Sequence, residues 1–100
     1  MEKSYIINIL GDLISGYLCS DINKEQIYLQ LLGNFCPTDI VEQEDELLND
    51  SYFAIYHMNE KFCEVTDDEF QYLKDCLNGK YRYSRAERDR ILHQKNADIV

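Results

Sequence analysis

One hundred residues with a net charge of −9, 45% apolar and 12% aromatic side chains specify one folded acidic domain. That apolar content exceeds what a disordered chain carries, and a chain of this length removes roughly two-thirds of its unfolded surface from water. No apolar run approaches the roughly 20 residues of a membrane span, which excludes a spanning protein.

The first predicted element covers Lys3 to Leu18, where Ile6, Leu10, Leu13, Ile14, Tyr17 and Leu18 recur at intervals of three and four, one stripe of an amphipathic helix. Gly11 and Gly16 weaken it by about 1 kcal/mol each relative to alanine, so packing of the stripe must hold it. Ser20-Asp21 offers a capping oxygen for a second helix carrying Ile27, Tyr28, Leu31, Leu32 and Phe35. Cys36-Pro37 ends that helix, because proline lacks the N–H a helix interior needs and pushes its predecessor toward extended geometry.

A third helix is expected to start at Thr38 or Asp39, irregular in its first turns, and to bury Leu47, Leu48, Tyr52, Ile55 and Tyr56. Thr66 and Glu69 form a capping box for a fourth, with Phe70, Leu73 and Leu77 inward. Asn78-Gly79 closes it as a helix cap, although the same pair also fits a hairpin turn. Lys80-Tyr81-Arg82-Tyr83 alternates polar and aromatic residues as a short extended connector. Ser84 and Glu87 form a second capping box for a polar helix from about Arg85 to Lys95, anchored by Ile91 and Leu92. No repeat or linker interrupts the series, so residues 1–100 are expected to form a single all-α domain, a compact bundle of four to five helices.

The four cysteines, Cys19, Cys36, Cys63 and Cys76, include no C-x-x-C pair and read as reduced thiols packed as small hydrophobes. Met1-Glu2-Lys3 leads straight into a periodic segment, and a cytoplasmic protein is expected.

Charge is the most informative feature. Residues 39 to 69 hold eleven acids (Asp39, Glu42, Glu44, Asp45, Glu46, Asp50, Glu60, Glu64, Asp67, Asp68 and Glu69) against Lys61 alone, a local balance of −10. Residues 80 to 95 reverse the sign, with Lys80, Arg82, Arg85, Arg88, Arg90 and Lys95 against Glu87 and Asp89, giving +4. First-turn acids such as Asp67, Asp68 and Glu69 complement a helix dipole, and acidic helix faces are common on soluble proteins. Clustering of this density carries a cost in self-repulsion, and a concentrated field of one sign speeds association with an oppositely charged partner. A basic protein is the favoured partner. Nucleic acid is disfavoured, because the basic tail would have to overcome −12 over residues 1–79. Arg82, Arg85 and Arg88 are instead expected to pair with the protein's own acidic face.

Metal-ligand spacing, phosphate-cradling glycine loops and nucleophile elbows are missing, so no metal, cofactor or catalytic activity is expected. His57 and His93 read as packed or solvated, and an acidic surround suppresses the thiolates of Cys63 and Cys76. An enzyme would need a deep apolar pocket around His57 or a cysteine. Among the eight tyrosines, Tyr17, Tyr28, Tyr52 and Tyr56 belong with the core, and Tyr72, Tyr81 and Tyr83 are freer to meet a partner.

The stretch Leu48-Asn49-Asp50-Ser51-Tyr52-Phe53-Ala54-Ile55-Tyr56-His57, the capped helix Asp67 to Leu77, and Asn78-Gly79-Lys80-Tyr81-Arg82-Tyr83-Ser84 together resemble small bacterial immunity proteins of contact-dependent growth inhibition systems. The likeness covers residues 47 to 84, and the opening hairpin is loosely similar to colicin-type immunity proteins. The resemblance implies a cytosolic antitoxin that binds a cognate toxin domain as a heterodimer and blocks its active or substrate surface. Such toxins are often nucleases, basic where they grip phosphate, so an acidic inhibitor competes there as an electrostatic copy of nucleic acid. The toxin-binding surface is expected to include Glu42, Glu44, Asp45, Glu46, Asp50, Glu64, Asp67, Asp68, Glu69 and Tyr72. The alternative is an acidic nucleic-acid mimic or adaptor that sequesters another basic protein.

Overall fold

The computed structural model describes residues 2–58, 60 and 65–98, with side chains through residue 91. Six helices and no strand occur among them: α1 (Lys3–Leu18), α2 (Lys24–Asn34), α3 (Pro37–Val41), α4 (Glu46–His57), α5 (Asp67–Leu77) and α6 (Arg85–Asp98). The architecture is all-α, as the periodicity requires, and α1 sits at its centre, packed against α2, α4 and α5.

The stripe of α1 is the axis of the core. Ile6, Leu10 and Ile14 are fully buried, together with Ile27 and Leu31 of α2, Ile40 of α3, Leu48, Tyr52 and Ile55 of α4, and Phe70 and Leu73 of α5. Each such side chain contributes roughly 1.5–3 kcal/mol of transfer free energy, which offsets the weak helix propensity of a segment holding two glycines. The ring of Tyr17 meets that of Phe70 edge-on, centroids 5.5 Å apart, tying the end of α1 to the start of α5.

The start of the second helix and the extent of the third differ from the sequence reading, and the last helix runs to Asp98 where it was expected to end near Lys95. The second helix is capped by Asn23, not by Ser20-Asp21. Ser20 adopts a left-handed conformation (φ 63°), and the N–H groups of Ser20 and Asp21 close α1 by donating to the Tyr17 and Gly16 carbonyls. Asn23 then accepts from the Gln26 N–H at 2.8 Å, while the Gln26 side chain accepts from the Asn23 N–H at 2.9 Å, a complete capping box.

The expected third helix is two. Pro37 ends α2 and then serves as the first residue of α3, where its missing N–H and fixed φ cost nothing. The Asp39 carboxylate accepts from the Cys36 N–H at 2.9 Å. Glu44 turns left-handed (φ 51°) and breaks the helix, after which Asp45 caps α4 by accepting from the Leu48 N–H at 3.1 Å.

The α5 boundaries match the reading. Thr66 and Glu69 form the capping box, and Gly79 takes a positive φ of 81° directly after the cap residue Asn78, so the pair is a helix cap and not a hairpin turn. The capping box expected before α6 is only half formed. Ser84 accepts from the Glu87 N–H at a long 3.4 Å, but its own N–H donates to the Tyr72 hydroxyl, and Glu87 turns to Arg90.

Cys76 is buried, and burial pushes its thiol up from the ordinary range; Cys19 and Cys36 are on the surface, where the reading expected packed thiols. Cys63, His93 and the expected anchor Leu92 lie outside the described side chains. No helix among the described residues is long and apolar enough to cross a membrane.

Candidate acidic interface

The left-handed turn at Glu44 gives the acidic segment its shape. Beside it lies a cleft of about 200 Å³ lined by Ile40, Val41, Glu44, Asp45, Glu46, Asn49 and Arg85. Val41 is 56% exposed, an apolar surface flanked by carboxylates. Lysine and arginine side chains combine an apolar stem with a charged head, and a cleft with an apolar wall and an acidic rim matches both parts.

Asp45 is held in place twice over. Its carboxylate caps α4 and pairs with Lys3 Nζ at 3.2 Å. Partial burial works against its ionisation, but the Leu48 N–H and the Lys3 ammonium outweigh it, and the carboxyl titrates below its ordinary value of 3.8. Glu44 and Glu46 are exposed at the rim, and Glu42 is exposed just after α3. Glu46 Oε1 lies 3.4 Å from Arg85 Nε.

Asp50 points under the basic helix. Its side chain is only 11% exposed. Arg85 grips it at two points, Nε donating to Oδ2 and Nη2 to Oδ1, both at 2.8 Å, and the Tyr83 hydroxyl donates to Oδ2. Burial opposes the charge, but the Arg85 and Tyr83 hydrogen bonds prevail and keep the carboxyl below 3.8. Burial and the same carboxylate push the Tyr83 hydroxyl well above the ordinary tyrosine value.

The ten residues expected at the interface therefore separate by what holds them. Glu42, Glu44 and Glu46 are exposed around the cleft with Asp45 in its wall, and Asp67 and Asp68 are exposed in the first turn of α5. Asp50 and Glu69 face α6. Glu69 is 4% exposed, shared between its capping box and Arg88 Nε at 3.2 Å, which takes it off any free surface.

Tyr72 is also corrected. It is 8% exposed, its hydroxyl accepts from the Ser84 N–H at 3.1 Å and donates to the Arg82 carbonyl at 3.4 Å, and its ring lies against Tyr81 and Tyr83. It is a post for the connector. Tyr81 remains half exposed. Glu64 lies outside the described residues.

Sequence reasoning anticipated that Arg82, Arg85 and Arg88 turn to the acidic face; Arg85 and Arg88 do so, while Arg82 is exposed. The same reasoning missed the Lys3 pairing and the Ile40–Val41 wall, because both depend on where a turn of unrecognised handedness sends the chain. His57 is half-buried against Phe53, with Nδ1 2.8 Å from Glu60 Oε1. Among the described residues no group of three His, Cys, Asp or Glu side chains is gathered in a way that would hold a metal.

No protein-family model matches the chain, and comparison with curated proteins and with solved structures gives no match.

Proposed function

We propose that this chain is an antitoxin of the immunity-protein kind, a cytoplasmic, non-enzymatic inhibitor that binds a basic toxin domain as a heterodimer and occludes its active or substrate surface. The observation that carries the reading is the α3–α4 cleft, where exposed Glu44 and Glu46 rim an apolar wall with Val41 open to solvent. A nuclease surface built to grip phosphate presents arginine and lysine side chains whose stems and charges fit such a cleft. The net charge of −9 adds long-range attraction for the same partner and repulsion for nucleic acid. The choice of a toxin over other basic proteins follows the resemblance read in residues 47 to 84 and rests on that reading alone.

Growth rescue tests it. The chain is expressed in cells induced to make the toxin domain encoded beside its gene, against an empty vector. Rescue with co-purification of the two proteins is expected. Co-purification of a different basic protein without rescue would replace the antitoxin reading with that of an acidic nucleic-acid mimic or adaptor.

A further inference from the structure

We propose that α6 is a displaceable clasp: through Arg85 on Asp50 and Arg88 on Glu69 it occupies, from within the chain, the guanidinium-binding surface that a basic segment of the partner takes over on association. The inference rests on the reading of a basic partner and adds what that partner must displace.

The geometry at Asp50 is the first ground. Two parallel N–H donors at 2.8 Å fill both carboxylate oxygens, an arrangement that selects a planar guanidinium over an ammonium. Arg88, one turn further along α6, makes a single contact of the same kind, Nε donating to Glu69 Oε2 at 3.2 Å. The covered acids are thus spaced to receive two arginines at positions i and i+3 of a helix.

The second ground is that the described side chains of α6, those of residues 85–91, are held by little else. Its sequence, Arg85-Ala86-Glu87-Arg88-Asp89-Arg90-Ile91 onward, has no stripe comparable to those of α1 or α5, and none of its described side chains belongs to the buried core. It packs on α5 and is entered from a short connector that follows the left-handed Gly79. The third ground is Arg85 itself, which also walls the cleft beside Glu46. Its removal opens the Asp50 surface and the cleft together.

The test uses a fluorescent alanine-based helical peptide carrying arginines at i and i+3, titrated at low salt into the full chain and into Arg85→Ala, Arg85→Lys and Arg82→Ala variants. Arg82→Ala removes the same charge without touching the clasp. Arg85→Ala is expected to bind at least about fivefold more tightly than the wild type, with Arg82→Ala within about twofold of it. Arg85→Lys, which keeps the charge and gives up the two-point grip, falls between and carries the comparison should Arg85→Ala fail to fold. Peptide binding to the wild type should also speed amide exchange in residues 86–91. Equal affinities for Arg85→Ala and Arg82→Ala would overturn the clasp while leaving the basic-partner reading standing. No binding to any of the four proteins would overturn both.

Discussion

Ser51 and Tyr52 stand side by side in α4 with both hydroxyls buried and, among the described residues, without a hydrogen-bond partner. A desolvated hydroxyl that makes no bond is a liability, and serine is also a poorer helix former than alanine. Ser51→Ala should raise stability by about 0.5–1 kcal/mol, read as a higher urea midpoint at unchanged slope. Asp50 works in the opposite direction. Its folded carboxyl titrates below 3.8, so the unfolded chain binds the proton more readily. The resulting stabilisation is complete above that value and is lost as pH falls through the depressed one. Asp50→Asn should therefore cost about 1 kcal/mol at pH 7 and flatten the decline of stability below pH ~4, measured by urea unfolding from pH 7 down to 2.5. The charge of Asp50 was plain in the sequence, but its burial was not. A contact between residues 50 and 85 is written in no local pattern.

Among the elements, those with strong periodicity and chemically complete ends were legible. The α1 stripe, the Thr66–Glu69 box and the Gly79 stop each combine a spacing with a mechanism, and each stands where that mechanism puts it. The break between α3 and α4 was not legible, because Gln43-Glu44-Asp45 contains no glycine, asparagine or proline to mark a left-handed turn. Glu44 adopts that turn against the steric preference of any residue with a Cβ. Glu44→Gly should relieve the strain and stabilise the fold by about 0.5 kcal/mol, while removing a rim carboxylate and, on the proposed function, slowing association with a basic partner. A stopped-flow trace paired with a thermal melt would show the two effects with opposite signs. The start of α2 escaped for a related reason: Ser20 and Asp21 look like caps, yet their N–H groups are spent in finishing the helix before them.

Over the whole molecule, charge is distributed by segment: an acidic middle and a basic end, folded so that the end lies on the middle. On the proposed function, attraction for a basic partner comes from what is left uncovered, chiefly the rim of the α3–α4 cleft. The double reversal Glu44→Lys with Glu46→Lys should lower the association rate by at least about tenfold at low salt without shifting the melting temperature by more than about two degrees. The gap between wild type and variant should narrow as ionic strength rises and the Debye length falls from about 10 Å at 0.1 M.

The connector of residues 80–84, pinned by Tyr72, keeps α6 within a few residues of the surface it covers. A short tether of this kind presents its cargo at an effective concentration of millimolar order. A free arginine, a polyamine or a stray basic loop must exceed that local supply to gain a foothold. Only a ligand that makes several contacts at once can do so, and the surface under α6 thereby acquires a threshold: opposite charge is enough to be attracted to it, but not enough to stay.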